Sequence, residues 1–259
     1  MIDLHCHILH DLDDGPRHID ESLAMCRMAA ADGIQIISGT PHMLKDVYRF
    51  SADDVLARTA ALNAALRAEG IALTVIPGAE VVVDPEILPL IRAGMVLTVN
   101  NRGKYVLIEL TDFFPQKPVE ALVEELVAHG ITPIIAHPER NPMIQKNTRL
   151  LEGFVKGGAL SQVTAMSVTG DFGNRTRKTA TTLLKKGLVH LMASDAHTPK
   201  WRPPLLSDAV TAAAKVVGET AALKLVKDTP RQIIGDTPYH LPLDTDYQKT
   251  VIQYDKAAP

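Results

Sequence analysis

The sequence predicts an α/β protein built from repeated strand–helix units, arranged either as a barrel of parallel strands or as an open, doubly wound sheet. Short β-branched and aliphatic runs recur about seven times, and stretches with helical periodicity lie between them. Neither GxGxxG after the first strand nor GxxxxGK[ST] occurs, so both nucleotide-binding signatures of open sheets are missing. Their absence favours the barrel.

Seven segments have the composition of buried strands. A continuous apolar run of this length is typical of a parallel strand whose two faces are both covered. The predicted strands are residues 2–4, 34–38, 72–77, 105–110, 131–136, 160–165 and 188–194.

Two of the intervening segments carry clear helix signals. In residues 51–70, Ser51 and Asp54 form a capping box and Gly70 supplies the stop. Residues 118–130 have an acidic first half, an apolar face and a terminal glycine. Both segments therefore predict amphipathic helices that pack on the strands.

The length of 259 residues suits one α/β barrel, and we expect a single domain over residues 1–259. With 46% hydrophobic and 22% charged residues, the chain can bury a substantial core. From about residue 228 the sequence becomes proline-rich and polar, which predicts a tail that wraps the surface or frays.

Charge and targeting signals narrow the possible functions. A net charge of −3 provides no general basic field for nucleic acid or for anionic membranes. The N-terminus does not resemble a signal peptide, and no apolar run reaches the roughly 18 residues of a membrane span. Two cysteines, Cys6 and Cys26, are too few for a disulfide framework. We expect a cytoplasmic protein without membrane insertion.

Histidine and carboxylate side chains follow the predicted strands in succession. The carboxyl ends of barrel strands share one face, so residues far apart in sequence would converge there. These residues are His5, His7, His42, Glu80, Glu109, His137, Asp195 and His197, with Asp14 in the first loop.

The spacing within this set favours metal binding. His5 and His7 point to the same side of a strand while Cys6 points away, and Asp195 and His197 repeat that arrangement. Imidazole with carboxylate suits zinc, iron or manganese, and the lack of a cysteine cluster argues against a structural zinc site. Asp14 with His42 would add an oxygen-rich third site.

Each of these residues alone has an ordinary explanation. His42 suits a turn, Glu80 a helix cap or the surface, and Glu109 an exposed strand end. Chance placement of so many at the same strand ends is improbable, and burying them unpaired would be costly. The set as a whole therefore predicts a metal centre.

The motifs HCHILHDLDDGP, GTPH, GAE, HPERN and SDAH together resemble the polymerase and histidinol phosphatase (PHP) superfamily over roughly residues 1–210. Within it, the sequence is similar to manganese-dependent protein-tyrosine phosphatases of bacterial capsule and exopolysaccharide gene clusters. The resemblance implies a distorted (β/α)7 TIM-like barrel, in agreement with the strand count.

The resemblance also implies two to three divalent ions, manganese first, with iron, zinc or magnesium as alternatives. Arg140 and Arg202 stand where the family has phosphate-binding arginines, and a planar guanidinium can grip a phosphoryl group at two points. The implied allocation gives one ion to His5, His7, Glu80 and Asp195, a second to Glu80, Glu109 and His137, and a third to Asp14, His42 and His197.

The function implied is hydrolysis of phosphotyrosine in proteins by a metal-bridged hydroxide. The phenol leaving group has a pKa of about 10, so strong general-acid help is not required. By family likeness, the expected substrate is the tyrosine-rich tail of a polysaccharide-assembly kinase.

Three other functions compete with this hypothesis. A shared metal site does not fix the substrate, so the main alternative is another PHP activity, such as hydrolysis of a small phosphomonoester like histidinol phosphate or a nuclease-like role. A regulatory module without catalysis is disfavoured by the complete metal set. A cysteine-dependent phosphatase would need arginine six residues after its nucleophile, where Leu12 and Asp32 stand.

Five residues are expected to lie outside the chemistry. Cys6 replaces the serine often found in this family and should face away from the metals. His10 is expected to be exposed, Trp201 to pack in the protein, and Tyr247 and Tyr254 to lie on the surface.

Overall fold

A computed structural model describes residues 1–43 and 48–235, and every strand pair in this part of the chain is parallel. The strands are β1 (Ile2–Cys6), β2 (Ile36–Gly39), β3 (His42–Met43), β4 (Thr74–Pro77), β5 (Glu80–Val82), β6 (Tyr105–Glu109), β7 (Thr132–Ala136), β8 (Leu160–Thr164) and β9 (Leu191–Ala193).

Helices follow most of the strands, and 3₁₀ turns occur at Val99–Asn101 and Pro138–Arg140. None of the helices in the described residues is long and apolar enough to cross a membrane. The helices are α1 (Ile19–Ala31), α2 (Ala52–Ala68), α3 (Ile87–Arg92), α4 (Gln116–Ala128), α5 (Pro142–Lys146), α6 (Arg149–Lys156), α7 (Ala165–Thr169), α8 (Asn174–Lys185), α9 (Ser207–Val217), α10 (Glu219–Lys224) and α11 (Asp228–Ile234).

The strands form two sheets, with the orders β1-β2-β4 and β3-β5-β6-β7-β8-β9. The sheets are continuous along the chain because two residues separate β2 from β3 and two separate β4 from β5. Ile36 pairs with Thr74 and His42 pairs with Glu80, so the register is the same on both sides of the interruption.

The first strand also meets the last. Cys6 forms a parallel bridge with Ala196, and the His7 N–H donates to the Ala196 carbonyl at 2.8 Å. The Asp195 N–H donates to the His5 carbonyl at 2.8 Å. Seven strand positions thus follow one another around a distorted barrel, and the predicted α/β barrel fold is confirmed.

Each predicted strand segment overlaps one observed strand, although β1 and β2 extend beyond the predicted ends, and β3 and β5 were not predicted. They have two and three residues, too few for a detectable apolar run. Pairing with each other and with β6 stabilises them. They carry His42 and Glu80, so these residues lie on strands of their own and do not merely follow β2 and β4.

Both predicted helices are present. The Ser51–Asp54 capping box forms at the start of α2, and Gly70 has φ +66° just beyond its end. The segment predicted as a tail begins with α11, in which Ile233 and Ile234 are buried. Residues 236–259, with Tyr247 and Tyr254, lie outside the described residues.

The core has an inner and an outer part. Apolar side chains from several strands pack together inside the barrel, and Ile233 and Ile234 of α11 join them. On the opposite face of the strands, two larger clusters pack against the surrounding helices. Leu107 belongs to the inner cluster, and Glu109, two residues later on β6, is directed to the same side.

Asn63 of α2 completes the free edge of β4. Its side-chain Nδ2 donates to the Val75 carbonyl at 2.7 Å, and the Val75 N–H donates to its Oδ1 at 2.9 Å. Asn63 is 6% exposed, so these backbone groups have no ready access to water. A helix side chain thus takes the place of a neighbouring strand.

We predict that Asn63→Leu lowers the free energy of unfolding by about 2–4 kcal/mol, because it leaves two buried backbone groups without partners. Urea denaturation measures the change. Arg67→Leu on the exposed side of α2 is the control, with an expected change within about 0.5 kcal/mol. Equal effects of the two substitutions would refute the role of Asn63.

Candidate metal centre

Four side chains place one donor atom each at nearly equal separations. The Nε2 atoms of His5 and His7 lie 3.3 Å apart, and each is 3.4 Å from Glu80 Oε2. Asp195 Oδ1 lies 3.4 Å from the His5 Nε2 and 3.5 Å from the His7 Nε2. Separations of this size are those between neighbouring ligands of one ion at metal–ligand distances of about 2.1 Å, and His5, His7 and Glu80 form one such group. The four residues are at most 1% exposed, and Asp195 also forms a group with His5 and His137.

Glu80 also faces a second group of donors. Its Oε1 lies 2.8 Å from His137 Nε2, while its Oε2 lies 2.9 Å from His42 Nδ1. Glu109 stands farther off, with one oxygen 4.0 Å from His137 Nε2 and the other 3.9 Å from His42 Nδ1. The two oxygens of Glu80 therefore face different histidines, as a carboxylate between two ions would.

A third group of donor atoms includes Asp14, which lies on its solvent-facing side. Its Oδ1 is 3.6 Å from His42 Nε2 and 3.4 Å from His197 Nε2. The donor atoms of His7, Asp14, His42 and His197 all lie within 4.8 Å of one another. The Asp14 side chain is 49% exposed whereas the histidines are buried, so this group is the one nearest to solvent. All nine predicted ligands thus come together.

The buried charges hold one another in the ionised state. Burial alone would raise the pKa of Glu80, but the charge of His5 and the hydrogen bonds with His137 and His42 lower it well below the usual value. Burial likewise opposes the ionised form of Asp195, and the charge of His5 with a hydrogen bond from His7 lowers its pKa. Deprotonated carboxylates are the form that binds metal.

Backbone strain coincides with two of these residues. His137 has φ +31° and Asp195 has φ +51°, a left-handed conformation that side chains with a Cβ seldom adopt. His137 follows directly on β7, and Asp195 lies two residues beyond the end of β9. Strain of this kind persists where surrounding structure fixes it, and it is often found at functional sites.

Asp13 orients His7 and was not among the predicted residues. Its Oδ2 lies 2.6 Å from His7 Nδ1 and accepts the His42 N–H at 3.0 Å, and its Oδ1 accepts the Gly15 N–H at 2.9 Å. The contact with Nδ1 leaves Nε2 of His7 directed at the other donors. The sequence signal was the adjacent pair Asp13–Asp14, from which only Asp14 was chosen.

Gln162 orients the His5 ring in the way that Asp13 orients the His7 ring. Its Oε1 lies 2.8 Å from His5 Nδ1, and the residue is completely buried on β8. A hydrogen-bond acceptor at Nδ1 fixes the imidazole with Nε2 free for a ligand. The available sequence signal was an amide within the predicted strand 160–165, and Gln162 was not among the predicted site residues.

The two predicted arginines converge on Asp195. Arg140 Nη1 and Arg202 Nη2 each lie 2.5 Å from its Oδ2, on the side away from His5 and His7. The Phe172 ring lies beneath both guanidinium groups, with its centroid 5.1 Å from Arg140 Cζ and 5.8 Å from Arg202 Cζ. Phe172 was not predicted, and cation–π contact with it holds the arginines beside the metal-ligand candidates.

Two minor expectations were wrong. Trp201 does not pack in the protein but is 74% exposed, because the turn in which Thr198 pairs with Arg202 holds it outward. His10 is partly buried, and its Nε2 lies 3.4 Å from Arg58 Nη1. Cys6 is buried and faces the Ala196 carbonyl, away from the donor atoms, as expected.

Comparison with known proteins points to one family. Residues 1–235 match the family described as capsular polysaccharide synthesis, CpsB/CapC. The tyrosine-protein phosphatase YwqE of Bacillus subtilis is 35% identical over 242 residues, covering 93% of this chain and 95% of the relative. The putative tyrosine-protein phosphatase CapC of Staphylococcus aureus is 37% identical over 210 residues, covering 80% of each.

Solved structures agree with these matches. One match comes from the crystal structures of YwqE from Bacillus subtilis and CpsB from Streptococcus pneumoniae, which are described as metal-dependent tyrosine phosphatases. The TM-score is 0.87 and the sequence identity 34%, and the match covers 93% of this chain and 98% of that chain. Histidinol phosphate phosphatase from Lactococcus lactis matches at a TM-score of 0.54 and 14% identity, over 85% and 93% of the two chains. The second likeness is one of fold.

We predict that Asp13→Asn weakens metal binding about 10–100-fold, because His7 loses the acceptor that orients its ring. Titration of the metal-free protein with Mn²⁺ and calorimetric detection measures the affinity. Asp11→Asn is the matched control, since the exposed Asp11 carboxylate pairs with Arg58 and not with a histidine. Equal metal affinity of the two variants would contradict the assigned role.

Proposed function

This chain belongs to the CpsB/CapC family of capsular polysaccharide synthesis, as the sequence motifs predicted, and we propose that it is a metal-dependent phosphatase that hydrolyses phosphotyrosine in proteins. The observation that carries the proposal is a buried set of donors in which the Nε2 atoms of His5 and His7 lie 3.3–3.5 Å from each other and from one oxygen each of Glu80 and Asp195. The other oxygen of Asp195 accepts from two arginines. Relatives in this family are tyrosine-protein phosphatases.

The proposed metal site uses nine ligands and holds two to three divalent ions, with manganese as the resident metal. The donor chemistry supports this, because imidazole and carboxylate together suit manganese, iron or zinc. The residues proposed as ligands are His5, His7, Asp14, His42, Glu80, Glu109, His137, Asp195 and His197.

Divalent ions held by these residues would make a nucleophile available from water at neutral pH and would offset the charge of the phosphoryl oxygens. The protein contributes orientation and further positive charge. Asp13 and Gln162 fix the rings of His7 and His5, so that the ligand geometry is set before substrate arrives. Arg140 and Arg202 would bind the non-bridging phosphoryl oxygens in the transition state.

A phosphotyrosine substrate suits this arrangement. The tyrosine phenol has a pKa of about 10, so the leaving group departs without a strong general acid. The proposed substrate is the tyrosine-rich tail of a polysaccharide-assembly kinase. Histidinol phosphate, the runner-up, is an alkyl phosphate with a poorer leaving group, and the likeness to its phosphatase extends to fold alone.

Removal of metal should abolish activity. After dialysis against a chelator, we expect hydrolysis of a phosphotyrosine peptide to be lost, and addition of Mn²⁺ should restore it. His5→Ala should retain little activity and bind less metal, measured by elemental analysis. Activity on the peptide that persists in the metal-free protein would overturn the mechanism, while a higher kcat/KM on histidinol phosphate would move the function to the runner-up.

Loss of one arginine should weaken the contact with the phosphoryl group of the substrate while leaving metal binding largely intact. For Arg202→Ala we expect kcat/KM on a phosphotyrosine peptide to fall about 10²-fold or more, because a charge-assisted contact to the phosphoryl group disappears. Arg140→Ala should behave similarly. Arg58→Ala, which removes an arginine paired with Asp11, is the control. Unchanged kinetics with full metal content in Arg202→Ala would refute its role.

A further inference from the structure

An apolar groove lies beside the candidate metal centre and has no part in the chemistry described so far. It has a volume of about 410 Å³ and is lined by two valines, three prolines, an alanine and a leucine, with Thr111 and Glu125 as its polar members. The first wall is the segment after β5, and the second is formed by the loop after β6 together with one face of α4. The volume suits one or two large apolar side chains.

The groove is joined to the metal centre through the backbone. The Val83 N–H donates to the Glu109 carbonyl at 2.8 Å, and the Asn141 side chain donates to the Thr111 carbonyl at 2.9 Å. Asn141 follows directly on Arg140. Thr111 is two residues from Glu109, which along the chain is at most about 7 Å. The groove therefore begins beside two residues assigned to the proposed active site.

Phe113 lies on the loop between two residues that line the groove, Thr111 and Pro115. It is 78% exposed, although the loop that carries it is anchored on both sides. The Thr111 hydroxyl donates to the Phe113 carbonyl at 2.8 Å, and Phe114 is buried, with its N–H directed at Met143 Sδ at 3.3 Å. An exposed aromatic ring on an anchored loop is typical of a contact surface for a binding partner.

The rim of the groove is acidic. Asp84, Glu86, Asp112 and Glu125 lie in or next to the lining segments, where Lys117 is the one basic residue. Within residues 1–43 and 48–235, no ion pair neutralises any of the four carboxylates. Charge complementarity therefore favours a partner with positive charge beside its apolar side chain.

We propose that the groove and Phe113 bind the substrate polypeptide next to its phosphotyrosine, and that they select an apolar side chain flanked by lysine or arginine. The proposal rests on the proposed phosphatase function and adds the chemistry of the substrate sequence. An extended peptide advances about 3.3 Å per residue, so residues two to four positions from the phosphotyrosine reach this surface.

The test compares two phosphotyrosine peptides, one with leucine and lysine at these positions and one with serine at both. Ala121→Lys places a long cationic side chain in the groove from an exposed position of α4, and Phe113→Ser removes the ring. We expect each variant to raise KM for the leucine–lysine peptide about tenfold with little change in kcat. Hydrolysis of p-nitrophenyl phosphate should be unchanged. Ala64→Lys, at an exposed alanine of α2, is the matched control.

Three results would overturn the proposal. One is an equal KM of the two peptides for the unaltered protein. Another is an equal loss of activity on p-nitrophenyl phosphate and on the peptide, which indicates a structural effect. The third is a dimer in sedimentation velocity that Ala121→Lys dissociates, because the groove would then hold a second copy of the chain.

Failure of the phosphatase function itself would be recognised separately, since the unaltered, Mn²⁺-loaded protein would hydrolyse neither p-nitrophenyl phosphate nor any phosphotyrosine peptide. In that case, fluorescence anisotropy with the unphosphorylated leucine–lysine peptide still reports on the groove. Binding that Ala121→Lys weakens about tenfold and Ala64→Lys does not would support the docking site, and no binding to the unaltered protein would refute it.

Discussion

The structure depends on a carboxylate that is completely buried and yet ionised. Glu80 is inaccessible to solvent, and such a group would normally take up a proton or destabilise the fold by several kcal/mol. Here four histidines, His5, His7, His42 and His137, surround its two oxygens at 2.8–3.4 Å. The attraction between the Glu80 carboxylate and these histidines offsets its loss of hydration, and the same contacts fix the position of each imidazole ring.

Backbone pairing brings these groups to one place. His42 and Glu80 are direct partners on β3 and β5, and the Asp195 N–H bonds to the His5 carbonyl where the first and last strands meet. His137 and Asp195 adopt left-handed backbone conformations. At these positions the chain leaves a strand and turns sharply, and the turn directs each side chain toward the site. The backbone contacts that close the barrel therefore also bring the residues of the site together.

Much of this could be predicted from the sequence, and the remainder has identifiable physical reasons. Seven strands are long enough to show as apolar runs, whereas β3 and β5 have two and three residues and are recognised only by their pairing in the structure. Asp13 and Asp14 are adjacent carboxylates, and only the path of the loop decides which one supports His7. Trp201 was misjudged because its exposure depends on a turn that the sequence does not specify.

Asp195 links the metal centre to the arginines. Its Oδ1 faces His5 and His7, while its Oδ2 accepts from Arg140 and Arg202, so two guanidinium charges share a single carboxylate oxygen. One carboxylate cannot offset both, and the excess positive charge suits a phosphoryl group, which carries about −1.5 to −2 at neutral pH. Arginines that turn to such a group would leave Oδ2 with fewer donors. The Asp195 carboxylate would then be a better metal ligand, so phosphate binding and metal binding would reinforce each other at this residue.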